Sequence, residues 1–158
     1  MYGPPLANID FIRVEAAAAL AALIEAACDP GVTVDVLDPG ARNLKDEHIF
    51  ADGITGSLEY PAVSSSYMLH DDRFSVKLIV WVLKKGKGAT PIAAAQRCQE
   101  LMSFVNRGIS DDPTLGGMDG IIDATIGTVD GPEFVAHEEG WGAYAEIEIQ
   151  VHSRLTNY

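Results

Sequence analysis

Residues 73–83 read RFSVKLIVWVL. In the first half Phe74, Val76 and Leu78 alternate with Ser75 and Lys77, which is the period of a strand with one buried face. The second half, Ile79 to Leu83, is apolar on both faces. A strand buried on both faces belongs at the centre of a sheet, so the rest of the chain is placed around this segment.

Upstream, HDDR at 70–73 reads as a tight turn after a strand from Glu59 to Leu69, with Pro61 suggesting an edge position or the start of pairing. Residues 39–56, PGARNLKDEHIFADGITG, hold three glycines and no sustained period, which predicts a long flexible loop. Before it, VTVDVLD alternates like a half-buried strand. Before that, Asn8 can cap a helix running from about Ile9 to Cys28, stopped by CDPG. Phe11, Val14, Ala18, Leu20, Leu23, Ile24 and Ala27 are spaced to form its buried face.

Downstream, Thr90 reads as an N-cap and Pro91 as the first residue of a helix reaching about Asn106, with Gly108 as its stop. Ile92, Ala95, Cys98, Leu101, Met102 and Val105 would face the sheet. Two further strands follow, GIIDATIGTVD and AYAEIEIQVHSRL. In the last, Ala145, Ile147, Ile149 and Val151 point one way and Glu146, Glu148, Gln150 and His152 the other.

The order helix, strand, strand, strand, helix, strand, strand predicts a single α+β domain over residues 1–158. It would hold a mainly antiparallel or mixed sheet of about five strands, with two helices on one face. The other face is left wet or open to a partner. Hydrophobic residues make up 47% of the chain, ample for one core. The N-terminal apolar run carries Glu15 and Glu25 and has no basic lead, which argues against a signal peptide or membrane span.

The net charge of −12, from 23 acidic against 11 basic residues, is the wrong sign for gripping a phosphate backbone. Cys28 and Cys98 read as buried free thiols. His48, His70, His137 and His152 are scattered without metal-ligand spacing, and His70 with Asp71 and Asp72 fits a polar turn. The loop Lys84 to Gly88 leads into a helix but lacks the phosphate-loop pattern. Ser64 to Ser66 lack a nucleophile-elbow context. SDDPTLGGMDG at 110–120 has the makings of a corner before a strand, with Gly116 and Gly117 supplying positive backbone angles. These readings predict no catalytic residue, cofactor or metal. An acidic metal-dependent hydrolase using Asp71, Asp72 or Asp111, or a small-ligand binding module with an apolar pocket, stand as alternatives of a different class.

Taken in order, YPAV opening a strand, FSVKLIVWVL, a helix ending in LMSFVNRGISDDPTLGGMDG, and the closing AYAEIEIQVHSRL resemble the tail terminator (tail completion) family of long-tailed bacteriophages. The resemblance covers about Glu59 to Leu155. It implies a virion protein that assembles as a six-membered ring, caps the tail tube, stops its polymerisation and joins the head connector. A neighbouring neck or head-tail connector ring subunit is the alternative within that class.

The implied partners are further copies of the chain, the tail tube protein and a connector, with DNA passing through unbound and no membrane. The implied place is the virion's tail-to-neck junction, after assembly in the host cytoplasm. Contact residues would come from Lys84, Lys85, Lys87, His48, Phe50 and Trp141. Glu146 and Glu148 would face the lumen and repel passing DNA.

Overall fold

A computed structural model describes residues 11–63 and 68–157. Helix α1 (Arg13–Ala27) is followed by a three-residue strand β1 (Thr33–Asp35) and one 3-10 turn (Ala41–Asn43). Then come the long strands β2 (Glu47–Val63) and β3 (Met68–Lys85), helix α2 (Pro91–Asp111), and strands β4 (Ile121–His137) and β5 (Gly140–Asn157). The five strands lie in the order β1-β2-β3-β5-β4, so the apolar strand β3 is central, as its composition requires. β1 runs parallel to β2 and the remaining pairs are antiparallel, a mixed sheet.

Both helices cover one face. Phe74, Val76, Leu78, Val80 and Val82 of β3 and Ala143, Ala145, Ile147, Ile149 and Val151 of β5 point into it and are buried. Against them lie Leu20 and Ile24 of α1 and Ala94, Cys98, Leu101, Val105 and Ile109 of α2. The alternate residues of β3 and β5 form the open face. Fold class, element order and the facing of β5 thus match the expectation from sequence.

Several boundaries differ, each for a physical reason. Residues 47–56, expected inside a flexible loop, are the first half of β2. Their alternation is hidden because His48, Ile49, Phe50 and Ala51 are all buried, and a register break follows between Ala51 and Gly53. HDDR is not a turn but the interior of β3; β2 and β3 are joined across residues 64–67, outside the described residues. Ser64 to Ser66 and the Asn8 cap also lie outside them. Pro61 sits at the second register break of the β2–β3 ladder, a position that tolerates a missing N–H.

Gly108 does not stop α2, which runs three residues past it. Its missing side chain lets α1 approach: a Cβ there would stand 3.0 Å from the Leu23 carbonyl oxygen. Leu20 and Ile24 of α1 are buried as their spacing predicts and Ala16 and Ala17 join them, but Phe11 is 48% exposed and Val14 62%. Ile92 of α2 is likewise exposed.

Thr90 caps α2 as read, its hydroxyl oxygen accepting from the Ala93 N–H at 3.1 Å with Pro91 next in line. Thr90→Ala should therefore lower stability by about 1 kcal/mol in urea unfolding, whereas an unchanged midpoint would remove the cap from the account.

Candidate functional site

The open face is mainly polar, with Ile79, Trp81 and Leu83 of β3 half-buried on it, and its partners are laid down by strand register. Trp81 pairs with Tyr144 across β3 and β5, and its indole lies over Gly142, where any Cβ would stand 2.5 Å from the ring. Lys77 Nζ lies 3.6 Å from Glu146. The Tyr144 hydroxyl donates to Glu133 at 2.5 Å, and that carboxylate raises the phenol above its ordinary range. Glu146 and Glu148 both stand on this face, as the alternation of β5 requires.

Farther along the same face is a trough of about 510 Å³ whose walls include Thr55, Arg73, Ser75, Thr125, Gln150 and His152. Small-molecule sites are mostly apolar with a few convergent polar groups. This trough is mostly polar, unlike the apolar pocket expected for a ligand-binding module.

At its end the two carboxylates of HDDR separate. Asp71 points to the open face, 3% exposed, with Arg154 Nε and Nη2 at 2.7 and 3.1 Å and His152 Nε2 at 3.1 Å. Asp72 points to the helix face and is fully buried, held by Arg13 Nε and Nη2 at 2.8 and 2.6 Å. Consecutive strand residues cannot converge on one ion, so Asp71 and Asp72 do not form the metal pair that a hydrolase would need. Among the described residues no group of three or more His, Cys, Asp and Glu is placed to hold a metal.

The Arg154 guanidinium holds the Asp71 carboxyl below the usual carboxylate range, with His152 acting in the same direction against burial. A folded-state pKa below the unfolded value gives stability that is present above about pH 4 and is lost as pH falls through the folded value. Asp71→Asn should thus be less stable than the parent at pH 7 but lose less further stability on acidification to pH 3. Parallel urea midpoints at the two pH values would contradict this.

The basic residues expected at an interface gather at one end of the sheet. Lys85 Nζ lies 3.3 Å from Asp46 and 3.1 Å from Glu139, so it ties the chain just before β2 to the β4–β5 turn, and Lys84 reaches Glu47 at 4.0 Å. Trp141 pairs with Lys84, is half-buried and meets Phe134 edge-on at 6.2 Å; Lys87 is exposed in the following turn.

His48 and Phe50 need correction as contact residues, because they are 1% and 8% exposed. His48 Nδ1 accepts from the Lys45 N–H at 2.9 Å, leaving Nε2–H to donate to Asp35 at 2.5 Å. The ring therefore fastens β1 to the sheet.

The segment 110–120 is a corner. The Asp112 carboxylate accepts from the Gly116 N–H at 2.9 Å and from the Thr114 hydroxyl at 3.1 Å, while Leu115 turns into the core. Gly116, Gly117 and Gly120 take positive φ. Cys28 and Cys98 are free, and burial pushes their thiols up to about 11 and about 12, which suppresses thiolate chemistry near neutrality.

The feature with no signal in strand periodicity is the outer flank of β4. It is an edge strand with register breaks between Ile121 and Asp123, Ile126 and Val129, and Asp130 and Glu133. Val129 is 46% exposed and Phe134 60%. Between β4 and α2 lies a groove of about 260 Å³ lined mainly by Met102, Ile126, Val129 and Ile147, with Gln99, Ser103 and Asn106 on the helix side. Exposed apolar surface of this kind marks an interaction site of some sort.

Among the described residues no helix is long and apolar enough to cross a membrane. Comparison with known proteins finds no matching family model and no matching curated protein.

Proposed function

We propose that the chain is a structural subunit of a ring that terminates a long bacteriophage tail, capping the tube and forming the joint to the head connector. Two things support this reading. One is the ordered resemblance over Glu59 to Leu155. The other, which carries the proposal, is the edge strand β4, where exposed Val129 lines an apolar groove and exposed Phe134 stands farther along the same edge, on a subunit whose core is already closed by its own helices. An edge of this kind calls for a partner, and cyclic assembly supplies one at every subunit.

In that assembly Glu146 and Glu148 line the lumen, where carboxylates repel passing DNA. The end carrying Lys84, Lys85, Lys87 and Trp141 meets the tube or the connector. A polymerisation assay tests the capping role: purified tail tube protein is allowed to elongate and followed by light scattering. Added in substoichiometric amounts, the chain should halt growth at shorter lengths. Unchanged growth kinetics and tube lengths would reject the reading.

A further inference from the structure

On the open face, strand register sets side chains in rows that cross four strands. One row is Ser57, Arg73, His152 and Asp123, and the next is Thr55, Ser75, Gln150 and Thr125. The second row is short apart from Gln150, and on β3 and β5 it lies between the longer side chains of Arg73 and His152 on one side and Lys77 and Glu148 on the other. This step of small hydroxyl residues forms the trough of about 510 Å³. Small-molecule sites are about 300–1,000 Å³.

The polar groups of the trough are available. Thr55, Ser75, Asp123, Thr125 and Gln150 form no side-chain hydrogen bond or ion pair with a described residue. Arg73 has only Glu59, 3.7 Å away with both side chains more than half exposed, a contact that a ligand displaces at little cost. His152 is already engaged by Asp71, whose carboxylate Arg154 neutralises. The Gln150 amide rests against Gly127, where a Cβ would stand 2.9 Å from Nε2, so β4 fixes its place in the trough wall.

The trough is therefore polarised. Its β2–β3 side offers a cation and two hydroxyls, Arg73 with Thr55 and Ser75, and its β4 side a carboxylate and one hydroxyl, Asp123 with Thr125. Arg73 and Asp123 stand in one row with β5 between them, about 10 Å apart at Cα for the usual strand spacing. A simple anion would be repelled by Asp123 and a simple cation by Arg73, whereas a molecule oppositely charged at its two ends complements both. An extended dipeptide is about 7 Å long and fits between them.

We propose that this trough binds a small zwitterion of dipeptide length, with its carboxylate on Arg73, its ammonium on Asp123 and its intervening polar groups on Gln150 and the hydroxyls. Such a site is independent of ring formation.

Glycylglycine is the probe, followed by heteronuclear NMR of the full chain. N-acetylglycylglycine lacks the ammonium and glycylglycinamide lacks the carboxylate. Glycylglycine should shift the amides of Thr55, Ser75, Thr125 and Gln150 saturably, and each blocked form should bind at least about tenfold more weakly, the loss expected of one charged contact. Asp123→Asn should abolish the preference over the acetylated form, and Arg73→Met the preference over the amide. Both positions are exposed, so thermal unfolding should report intact folds. No saturable shift with glycylglycine in the tens of millimolar, equal affinity for the three probes, or preferences unchanged in both variants would each overturn the site.

Discussion

Arg13→Met is expected to unfold the protein at much lower urea, with a loss of about 3–5 kcal/mol, because it strands a carboxylate that has no access to water. Asp72 is fully buried on the helix face of β3, and both of its oxygens are taken by the Arg13 guanidinium at 2.8 and 2.6 Å. Arg13 also lies over the Phe74 ring at 5.7 Å, so the pair fastens the first turn of α1 to the central strand. Replacing both partners, Arg13→Met with Asp72→Leu, should recover most of the loss, since a well-packed apolar pair removes the desolvation penalty altogether. Arg73→Met is the surface control. Its side chain is 53% exposed and Glu59 is 3.7 Å away, a geometry that contributes only about 0–1 kcal/mol. A loss below about 1 kcal/mol for Arg13→Met would mean that α1 is held by its apolar face alone.

Gly56→Val should cost about 3 kcal/mol or more, while Gly53→Ala on the same strand should leave stability within about 0.5 kcal/mol. A Cβ at Gly56 would stand 2.6 Å from Phe74 Cα and closer still to the Arg73 carbonyl oxygen. The obstacle is the backbone of β3, which cannot rotate aside, so β2 would have to part from the central strand just before its second register break. At Gly53 nothing lies within 4 Å of the added carbon. Equal effects at the two positions, measured by thermal or urea unfolding, would refute the close approach of β2 to β3.

The contrast between these sites explains how much of the fold was legible in the sequence. β3 and β5 were readable because their side chains alternate against a core covered from one side, and that period survives without knowledge of neighbours. Thr90 and Pro91 were readable because a cap is a local contact. HDDR is illegible as strand for the opposite reason. Two aspartates are stable in mid-strand only because Arg13 and Arg154 reach them from distant parts of the chain, and no local pattern announces such partners. The edges of the buried face of α1 were obscured by alanine, which packs equally well in either direction. The first half of β2 was obscured by burial on both faces and a bulge.

The candidate surfaces divide along the same line. The orientation of Glu146 and Glu148 follows from strand period alone. His48 and Phe50 look like loop residues in the sequence because burial on both faces hides the period of their strand. The gathering of Lys84, Lys85 and Trp141 at one end of the sheet depends on β3–β5 register, and the β4 flank on α2 packing beside it; neither is visible before the strands are paired.

Electron microscopy of the purified chain mixed with assembled tail tubes tests the central claim most directly. A tail terminator should appear as six-fold rings seated on tube ends, absent from tubes incubated alone. Tubes whose ends stay bare at saturating protein would contradict it.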